Sequence, residues 1–539
     1  MHKAARVCLV LAGLLGHANA APSSLVPVES PVYEHLEHFR ALGRTSIGLE
    51  VRPVSNADVL DAIAEIEAAA RQKPLDTADA LRLERLREAL LGPAHLATSR
   101  DDAASDSALS LWRFGGGLQF FGQATGLDAL PDLDRRPRRD RFFDMFLDVE
   151  LPQGLYAQWR FYQEYSALTP DPGSNGWVDN LPPNLRDTLT DGSARNDLAV
   201  LGYTNRWLRA EFGRRERHWG PGRRGTLFLS ENPFPLDGLS LQLRTRYVVL
   251  TSLFAQSQRG DAMGLRGSAY VAAHRVEIRP PWPLRLGLFE AVAYGDRGID
   301  LAYTNPVGFF LAMTQDIFDR SGTDDKKLIG VDVALDVRSL HVYAELLVDR
   351  VFVLDAAEEA EESPISSFAQ LVGLRWANPL GWADTDLDVE YAHLDPQVYF
   401  HKDGDPTRAL LSEGELIGHW LGPNADGFFV AWSSPALRRA GRLRLFFEQT
   451  RHGIVDGQRG TELGFFGLLG KDKRWITGAH AVERIWALTW ERHTWPTRFG
   501  TLDTALTAAH VGRSGAAPDD DGWLLELRLR WQLVGASAF

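Results

Sequence analysis

The chain contains 539 residues, of which 45% are hydrophobic, 24% charged and 10% aromatic, and its formal net charge at pH 7 is -13. A chain of this length exceeds one ordinary soluble core, and its aromatic content is too high for a disordered protein. The negative charge argues against a general nucleic-acid-binding protein, which needs basic surface to displace counterions. The single cysteine excludes a disulfide scaffold and a cysteine-ligated metal centre.

Residues 1–20 have the organisation of a secretory signal peptide. Lys3 and Arg6 form a basic start, residues 7–15 are apolar, and Ala18-Asn19-Ala20 provides small residues for cleavage. We expect cleavage after Ala20. That cut would also remove the one cysteine, so the predicted exported chain carries no thiol.

Residues 21–105 are predicted to form a small periplasmic helical module. Apolar residues recur at three- and four-residue spacing between positions 31 and 95. The run from Ser55 to Asp58 resembles a capping box at the start of a helix. These helices are short and amphipathic, which favours a small bundle over an anchor on the membrane surface.

From about Leu111 onward the hydrophobic period changes to two. In the last segment Trp523 and Leu525 share one parity, whereas Glu526 and Arg528 take the other. Short segments with one apolar and one charged face are typical of transmembrane β-barrels. The predicted strands cover 112–122, 142–151, 154–165, 196–203, 205–214, 238–244, 247–257, 266–278, 284–294, 327–337, 340–351, 366–377, 385–395, 427–434, 440–450, 481–492, 497–511 and 522–533.

The connections between these segments favour a barrel over a soluble sandwich. Outer-membrane barrels have short periplasmic turns and long external loops, and the connections here are expected to alternate strictly in length. The fold class predicted for residues 106–539 is an all-β membrane protein, a closed antiparallel barrel of about 18 strands in the Gram-negative outer membrane. The predicted tight turns are 152–153, 204–205, 279–283, 338–339 and 493–496.

Short motifs in a fixed order resemble one protein family. The most distinctive run is Arg217-His218-Trp219-Gly220-Pro221-Gly222, and further similar runs occur at 33–43, 51–53, 227–235, 294–296, 305–310 and 421–426. Through these runs the chain is similar to the capsule assembly protein Wzi family. The resemblance implies a barrel of the same size with a periplasmic helical bundle. It also implies a lectin-like protein that binds or organises capsular or extracellular polysaccharide at the cell surface, without covalent chemistry and without a cofactor.

Basic and aromatic residues in the predicted external connections are the candidate polysaccharide contacts. Arginines can pair with acidic sugars or with lipopolysaccharide phosphates, and a solvated loop without such contacts is an equal alternative. Aromatic faces can stack on sugar rings, but packing within the core of a loop is favoured for most of them. The glycines and proline of segment 217–222 also suit a loop whose shape they determine, and this interpretation is favoured. The candidates are Arg135, Arg136, Arg138, Trp177, Arg217, His218, Trp219, Tyr399, Trp420 and Trp475.

Charged residues on the inward parity have two interpretations. They could line a path for small solutes, which would make the protein a porin-like diffusion channel. Because both signs are interspersed, structural pairing of opposite charges is favoured. These residues are Arg160, Glu164, Arg209, Glu211, Asp332, Asp336, Asp388, Glu390, Arg442, Arg444, Glu448, Arg528 and Arg530.

Catalysis is the least favoured function. The sequence contains neither a G-x-S-x-G elbow nor an H-E-x-x-H motif. Asp386, Asp388 and Glu390 lie on one strand face, where they could bind a cation or draw in arginines, and no metal site is predicted. The expected partners are polysaccharide and outer-membrane lipid or lipopolysaccharide, and we expect a monomer.

Overall fold

A computed structural model describes most of the chain outside residues 1–23. The predicted signal peptide and the candidates Arg135, Arg136, Arg138, Trp177 and Trp475 lie outside the described residues. The described residues are 24–98, 111–127, 141–164, 194–258, 268–310, 325–350, 367–401, 406–412, 415–436, 441–455, 458–459, 476–497, 500–516 and 520–538.

The N-terminal region folds into three helices, which we call the helical module. These are α1 (Val32–Ala41), α2 (Asn56–Gln72) and α3 (Thr77–Thr98). The predicted capping box is confirmed, because the Ser55 side chain accepts from the Asp58 backbone N–H and the Asp58 carboxylate accepts from the Ser55 N–H. The periodic apolar residues form one buried cluster that includes Val32, Leu36, Phe39, Val59, Ile63, Ile66, Leu83, Leu86 and Leu90.

In the parts of the chain that the structure describes, no helix combines the length and the apolar character that a membrane crossing requires.

Eighteen long strands follow the helical module, each overlapping one predicted segment. They are β1 (Leu111–Thr125), β2 (Arg141–Glu150), β3 (Leu155–Glu164), β4 (Ala194–Thr204), β5 (Leu208–Arg215), β6 (Leu236–Arg244), β7 (Val248–Gln258), β8 (Ala269–Ile278), β9 (Leu284–Gly295), β10 (Lys326–Val337), β11 (Leu340–Arg350), β12 (Ser367–Ala377), β13 (Asp386–Leu394), β14 (Ala425–Pro435), β15 (Arg442–Val455), β16 (Ala479–Thr497), β17 (Gly500–Gly515) and β18 (Asp520–Ala538).

The strands close into a barrel in which chain neighbours pair antiparallel. β1 pairs with β2 on one side and with β18 on the other, where Leu111 lies opposite Ala538 and Thr125 opposite Leu524. Among the described residues, closure gives each of these strands a neighbour on both sides, as a sheet surrounded by lipid requires. The predicted fold class, a closed antiparallel barrel with a small N-terminal helical part, is confirmed.

The two faces of the strands separate apolar from charged residues, as the parity predicted. On β10, Val331 and Leu335 are exposed on the outer face, whereas Asp332 between them is buried. On β11, Leu346 is exposed outside and Glu345 is buried inside. The outer wall therefore presents an apolar surface to lipid, and the charges point into the lumen.

Two details of the predicted connections are wrong. The turn predicted at 493–496 lies within a strand pair, because β16 continues to Thr497 and β17 begins at Gly500. A register shift between Arg492 and Trp495 interrupts the period of two and hides this continuation. The strict alternation of length also fails at the last external connection, since residues 516–519 alone separate β17 from β18.

The outward parity of β10 leads to a stability prediction. A guanidinium at the centre of the lipid-facing wall costs about 2–4 kcal/mol, and the cost falls to about 0–1 kcal/mol near the interface. We expect Val331→Arg to lower the free energy of unfolding by the larger amount. Val337→Arg, on the same face but beside the turn at 338–339, is the matched control. Guanidinium titration in lipid vesicles measures both variants, and equal effects would contradict the assigned membrane position.

Candidate functional site

The connection between β5 and β6 turns into the barrel instead of extending from it. We call residues 216–235 the inner segment. His218–Trp219 forms a short antiparallel pair with Val51–Arg52 of the N-terminal region. The Gly220 N–H also donates to the Glu50 carbonyl at 2.8 Å. An external connection is therefore hydrogen-bonded, through the lumen, to the chain that joins α1 to α2.

Two carboxylates of the barrel wall hold the backbone of the inner segment. Glu345 accepts from the N–H groups of Gly222 at 2.9 Å and Leu227 at 2.8 Å. Glu390 accepts from those of Arg223 at 2.7 Å and Arg224 at 3.0 Å. A buried carboxylate is costly unless hydrogen-bond donors surround it. These contacts therefore hold the inner segment in place and also supply the donors that the two wall carboxylates need.

Glycine is required where the inner segment approaches the wall most closely. Gly220 has a φ of 143°, and a Cβ there would lie 2.6 Å from a Glu345 carboxylate oxygen. A Cβ on Gly222 would lie 2.1 Å from the Gly225 carbonyl oxygen. The glycines of the 217–222 run thus serve the shape of the loop and its approach to Glu345.

The side chains of the same run are packed inside the lumen. Trp219 is buried against Phe228 with ring centroids 6.0 Å apart, and Phe228 stacks on Phe289 of the wall at 5.2 Å. Arg217 donates to the Arg215 carbonyl at 3.0 Å, and the His218 ring bonds to the Glu231 carboxylate. In this conformation none of these three candidate side chains offers an open face, so their contact with polysaccharide stays a prediction.

A second external connection lies on the inner segment. It runs from β13 to β14, and we call its described residues within 395–424 the upper segment. The Tyr399 hydroxyl donates to the Leu227 carbonyl at 2.6 Å and accepts from the His419 N–H at 3.0 Å. The Ser230 N–H donates to the Ile417 carbonyl at 2.9 Å. Tyr399 is therefore buried between two layers that fill the lumen.

The helical module is joined to the wall by buried ion pairs. Glu37 of α1 lies 3.1 Å from Arg375 of β12 and 2.8 Å from Arg223 of the inner segment. Burial by itself raises the pKa of Glu37, but Arg52 and Arg375 outweigh it and lower the pKa to about 2. The carboxylate is therefore ionised at neutral pH and binds the three parts together.

Nearby arginines also lower the pKa of two other groups of α1, Glu34 and His35. Burial would raise the pKa of Glu34, but Arg442 and Arg82 lower it to about 2. Burial, followed by the nearby Arg82, holds the pKa of His35 well below its usual value. At neutral pH Glu34 is therefore ionised and favours the folded state, whereas His35 is neutral, and its protonation at lower pH would oppose folding.

The inward charges pair as the favoured interpretation predicted. Many of the partners, however, come from the module and the inner segment and not from neighbouring strands. Among the described pairs are Arg275–Asp332 at 2.9 Å, Arg375–Asp388 at 2.8 Å, Arg160–Glu29 at 2.7 Å, Arg244–Asp58 at 2.9 Å, Arg224–Glu448 at 2.8 Å, Arg285–Asp336 at 2.8 Å and Arg530–Asp144 at 3.3 Å.

The acidic row of β13 draws in basic groups. Asp386 meets His38 at 2.7 Å and Arg82 at 2.8 Å, both from the helical module. Asp388 pairs with Arg375, and Glu390 receives the backbone of the inner segment. Of the two alternatives weighed for this row, the structure therefore favours the one in which it attracts arginines.

A small cleft remains where the inner and upper segments meet the wall. Trp420, half-buried, contributes an aromatic face, and the His419 ring lies 5.4 Å from it. Of the five candidates within the described residues, Arg217, His218, Trp219 and Tyr399 are buried and Trp420 alone lines this cleft. The lining also includes Arg224, Glu390, Phe429 and Glu448.

Sequence reasoning missed the residues that hold the filling in place. Glu345, Arg223 and Arg224 were not among the candidates. An available signal was the inward parity of Glu345 between outward apolar residues. Another was the position of the arginine pair directly after the glycine-rich run. Neither signal specified which groups would meet, because the partners are far apart in the sequence.

A sealed β-barrel with an apolar exterior and a lumen filled by its own chain defines a class, the plugged outer-membrane barrels. The particular family follows from sequence. The family model of the capsule assembly protein Wzi matches residues 153–496, more than half of the chain. The chain therefore belongs to the Wzi family.

Solved structures are similar to the chain in fold. Wzi of Escherichia coli is an outer-membrane protein involved in group 1 capsule assembly and a carbohydrate-binding β-barrel. It is 12% identical with a TM-score of 0.58, and the match covers 94% of this chain and 99% of that one. OccK1 of Pseudomonas aeruginosa is 12% identical with a TM-score of 0.45, covering 80% and 100%. No curated protein matches the sequence.

The arginine-paired carboxylates of α1 predict acid sensitivity of the helical module. The folded-state pKa values of Glu34 and Glu37 are about 2, below the ordinary 4.5, so the folded state binds protons less readily than the unfolded state. The stability that these two carboxylates give to the folded state is fully present above about pH 4.5 and is lost as the pH falls towards 2. We expect thermal melts followed by the helical circular-dichroism signal to shift downward across this range.

Glu37→Gln should lower the stability at pH 7 and flatten the pH dependence. Glu84→Gln changes an exposed carboxyl of α3 and should preserve that dependence. If both variants kept the full acid transition, the ion pairs of Glu37 would not be its cause.

The hydrogen bonds that Glu345 accepts from the inner segment lead to a prediction about conductance, because they hold that segment inside the lumen. Glu345→Ala leaves the Gly222 and Leu227 N–H groups without their acceptor, which costs about 1–3 kcal/mol. We expect the inner segment to leave its docked position more often, and planar-bilayer recordings to show more frequent openings. Asp144→Ala removes a wall ion pair with Arg530 that does not touch the inner segment. Equal behaviour of the two variants would argue against this role.

Proposed function

We propose that the protein binds and organises capsular or extracellular polysaccharide at the cell surface, without catalysing a reaction. Membership of the Wzi family supports this proposal, and the carbohydrate binding of the Escherichia coli barrel is consistent with it. The observation that carries it is the filled lumen. Glu345 and Glu390 fix the inner segment inside the barrel, so the external surface becomes the place where a ligand would be recognised.

The proposed binding is the sum of many weak contacts. A long polysaccharide presents the same sugar repeatedly, so several modest contacts act together and raise the overall affinity. We propose that Arg135, Arg136 and Arg138 pair with acidic groups, and that Trp177 and Trp475 provide stacking faces. The half-buried Trp420 would contribute from the cleft.

The proposed partners are the polysaccharide and the lipid around the barrel, including lipopolysaccharide. We propose a monomer, since closure of each barrel needs no second chain. The non-catalytic role rests on the sequence, which lacks the motifs named above. Incubation with purified polysaccharide should leave its molar-mass distribution unchanged, and shortened chains would contradict this part of the proposal.

One observation supports a diffusion channel as a second candidate. Arg528 and Arg530 of β18 point into the lumen and are partly exposed, whereas the inward residues of β10 to β13 are buried. A wetted side of the lumen could pass small solutes. Steady open current from the wild-type protein in a planar bilayer would favour this candidate over the polysaccharide-binding barrel.

Deletion of the gene tests the leading function. We expect the polysaccharide to be made in the same amount but to appear in the medium, because its attachment to the surface is lost. The measurement compares cell-bound with released polysaccharide. Complementation of the deletion strain with Trp420→Ala should restore retention only in part, because the variant lacks an aromatic face that can stack on a sugar ring. Trp207→Ala, in the short turn between β4 and β5, should restore it fully. Unchanged retention in the deletion strain would contradict the proposal.

A further inference from the structure

The connection between β9 and β10 begins by folding onto the outer wall of the barrel. We call residues 296–310 the outer strap. The Phe310 ring stacks on His274 of β8 with centroids 4.1 Å apart, and the Phe310 N–H donates to Glu290 of β9 at 2.8 Å. The Asn305 carbonyl oxygen lies 2.9 Å from Nε2 of the His274 ring. The strap thus contacts two strands on one face.

That face is the lipid side of the wall. His274 alternates with Arg275, which pairs with Asp332 in the lumen, and the two therefore point in opposite directions. Glu290 lies directly opposite His274 in the strand pair and shares its outward direction. Leu288, two residues before Glu290 on the same parity, is exposed on the outer wall.

His274 and Glu290 form a polar pair in an otherwise apolar surface. Their side chains are 3.0 Å apart and both are buried. Ionisable groups that face hydrocarbon are costly, because lipid supplies no hydrogen bonds. The strap supplies them, through the Asn305 carbonyl and the Phe310 N–H, and covers the pair with an aromatic ring. It therefore takes the place of lipid over this part of the wall.

Four apolar side chains of the strap are exposed. Ile299 is 59% exposed, Leu301 79%, Val307 67% and Phe309 53%. Several exposed apolar side chains on one short segment are typical of an interaction surface. The strap that carries them lies beside the lipid-facing row that includes Leu288, because it contacts Glu290, two residues along the same face of β9.

The strap also reaches below the rim of the barrel. His274 lies five residues from Ala269, the external end of β8. At about 3.3 Å per residue and a tilt of about 45°, the Phe310 contact is about 12 Å below that end. A polar external loop would have no reason to descend so far along a lipid-facing wall.

We propose that the outer strap is embedded in the outer leaflet and that Ile299, Leu301, Val307 and Phe309 bind the acyl chains of its lipids. The strap insulates the His274–Glu290 pair from hydrocarbon and offers a lipid-compatible surface in its place. This proposal does not depend on the polysaccharide, since it concerns the side of the barrel and not its external end.

Single-cysteine variants test the proposal. The natural cysteine lies in the predicted signal peptide, so Leu301→Cys and Val307→Cys can each carry one fluorophore in the exported chain. The labelled proteins are reconstituted into vesicles whose acyl chains are brominated, and iodide serves as a water-soluble quencher. Val331→Cys, on the outer face of β10, is the lipid control, and Ala64→Cys, exposed on α2, is the aqueous control. Folded barrels are selected by their migration in unheated gels.

We expect both strap positions to be quenched by brominated lipid as strongly as Val331→Cys, and several-fold less by iodide than Ala64→Cys. Quenching by iodide to the level of Ala64→Cys would place the strap in water and overturn the proposal. Protection from both quenchers, together with disulfide cross-links between two copies of the unlabelled variants, would overturn it in favour of a contact between barrels.

Discussion

The pairing of buried charge across the lumen is the constraint on which the structure depends. An empty barrel can leave its inward charges to water, but a filled one cannot, and an unpaired buried ion costs several kcal/mol. Here every layer of the filling supplies a partner to the wall. Glu345 and Glu390 receive backbone N–H groups, while Arg375 receives Glu37. Removal of either the wall residue or its partner in the filling would leave a buried polar group unsatisfied.

This constraint explains the composition of the inner segment. Gly220 and Gly222 let the backbone approach the wall carboxylates, and the following arginines extend in two directions. Arg223 reaches Glu37 of the helical module at 2.8 Å, and Arg224 reaches Glu448 of the wall at 2.8 Å. A single short run therefore joins the barrel, the module and the external connections.

The sequence predicted the barrel well because lipid imposes a simple pattern. An apolar outer row and a polar inner row follow from the environment of each strand alone, so period-two alternation found all eighteen strands. It failed at Arg492, where a register shift breaks the period. The site was less predictable, since parity shows that Glu345 points inward but not which loop reaches it. Glu290 shows a signal that could have been used, a charge on the outward parity between leucine and valine.

Filling the lumen has a consequence for recognition. A connection that is hydrogen-bonded along its length has few conformations to lose when a ligand binds, so a weak contact loses less free energy to ordering. The inner and upper segments are fixed to each other at Tyr399 and to the wall at Glu345 and Glu390. They form a hydrogen-bonded floor inside the barrel. Repeated sugars bind best to sites held at constant spacing, and a floor of this kind maintains that spacing.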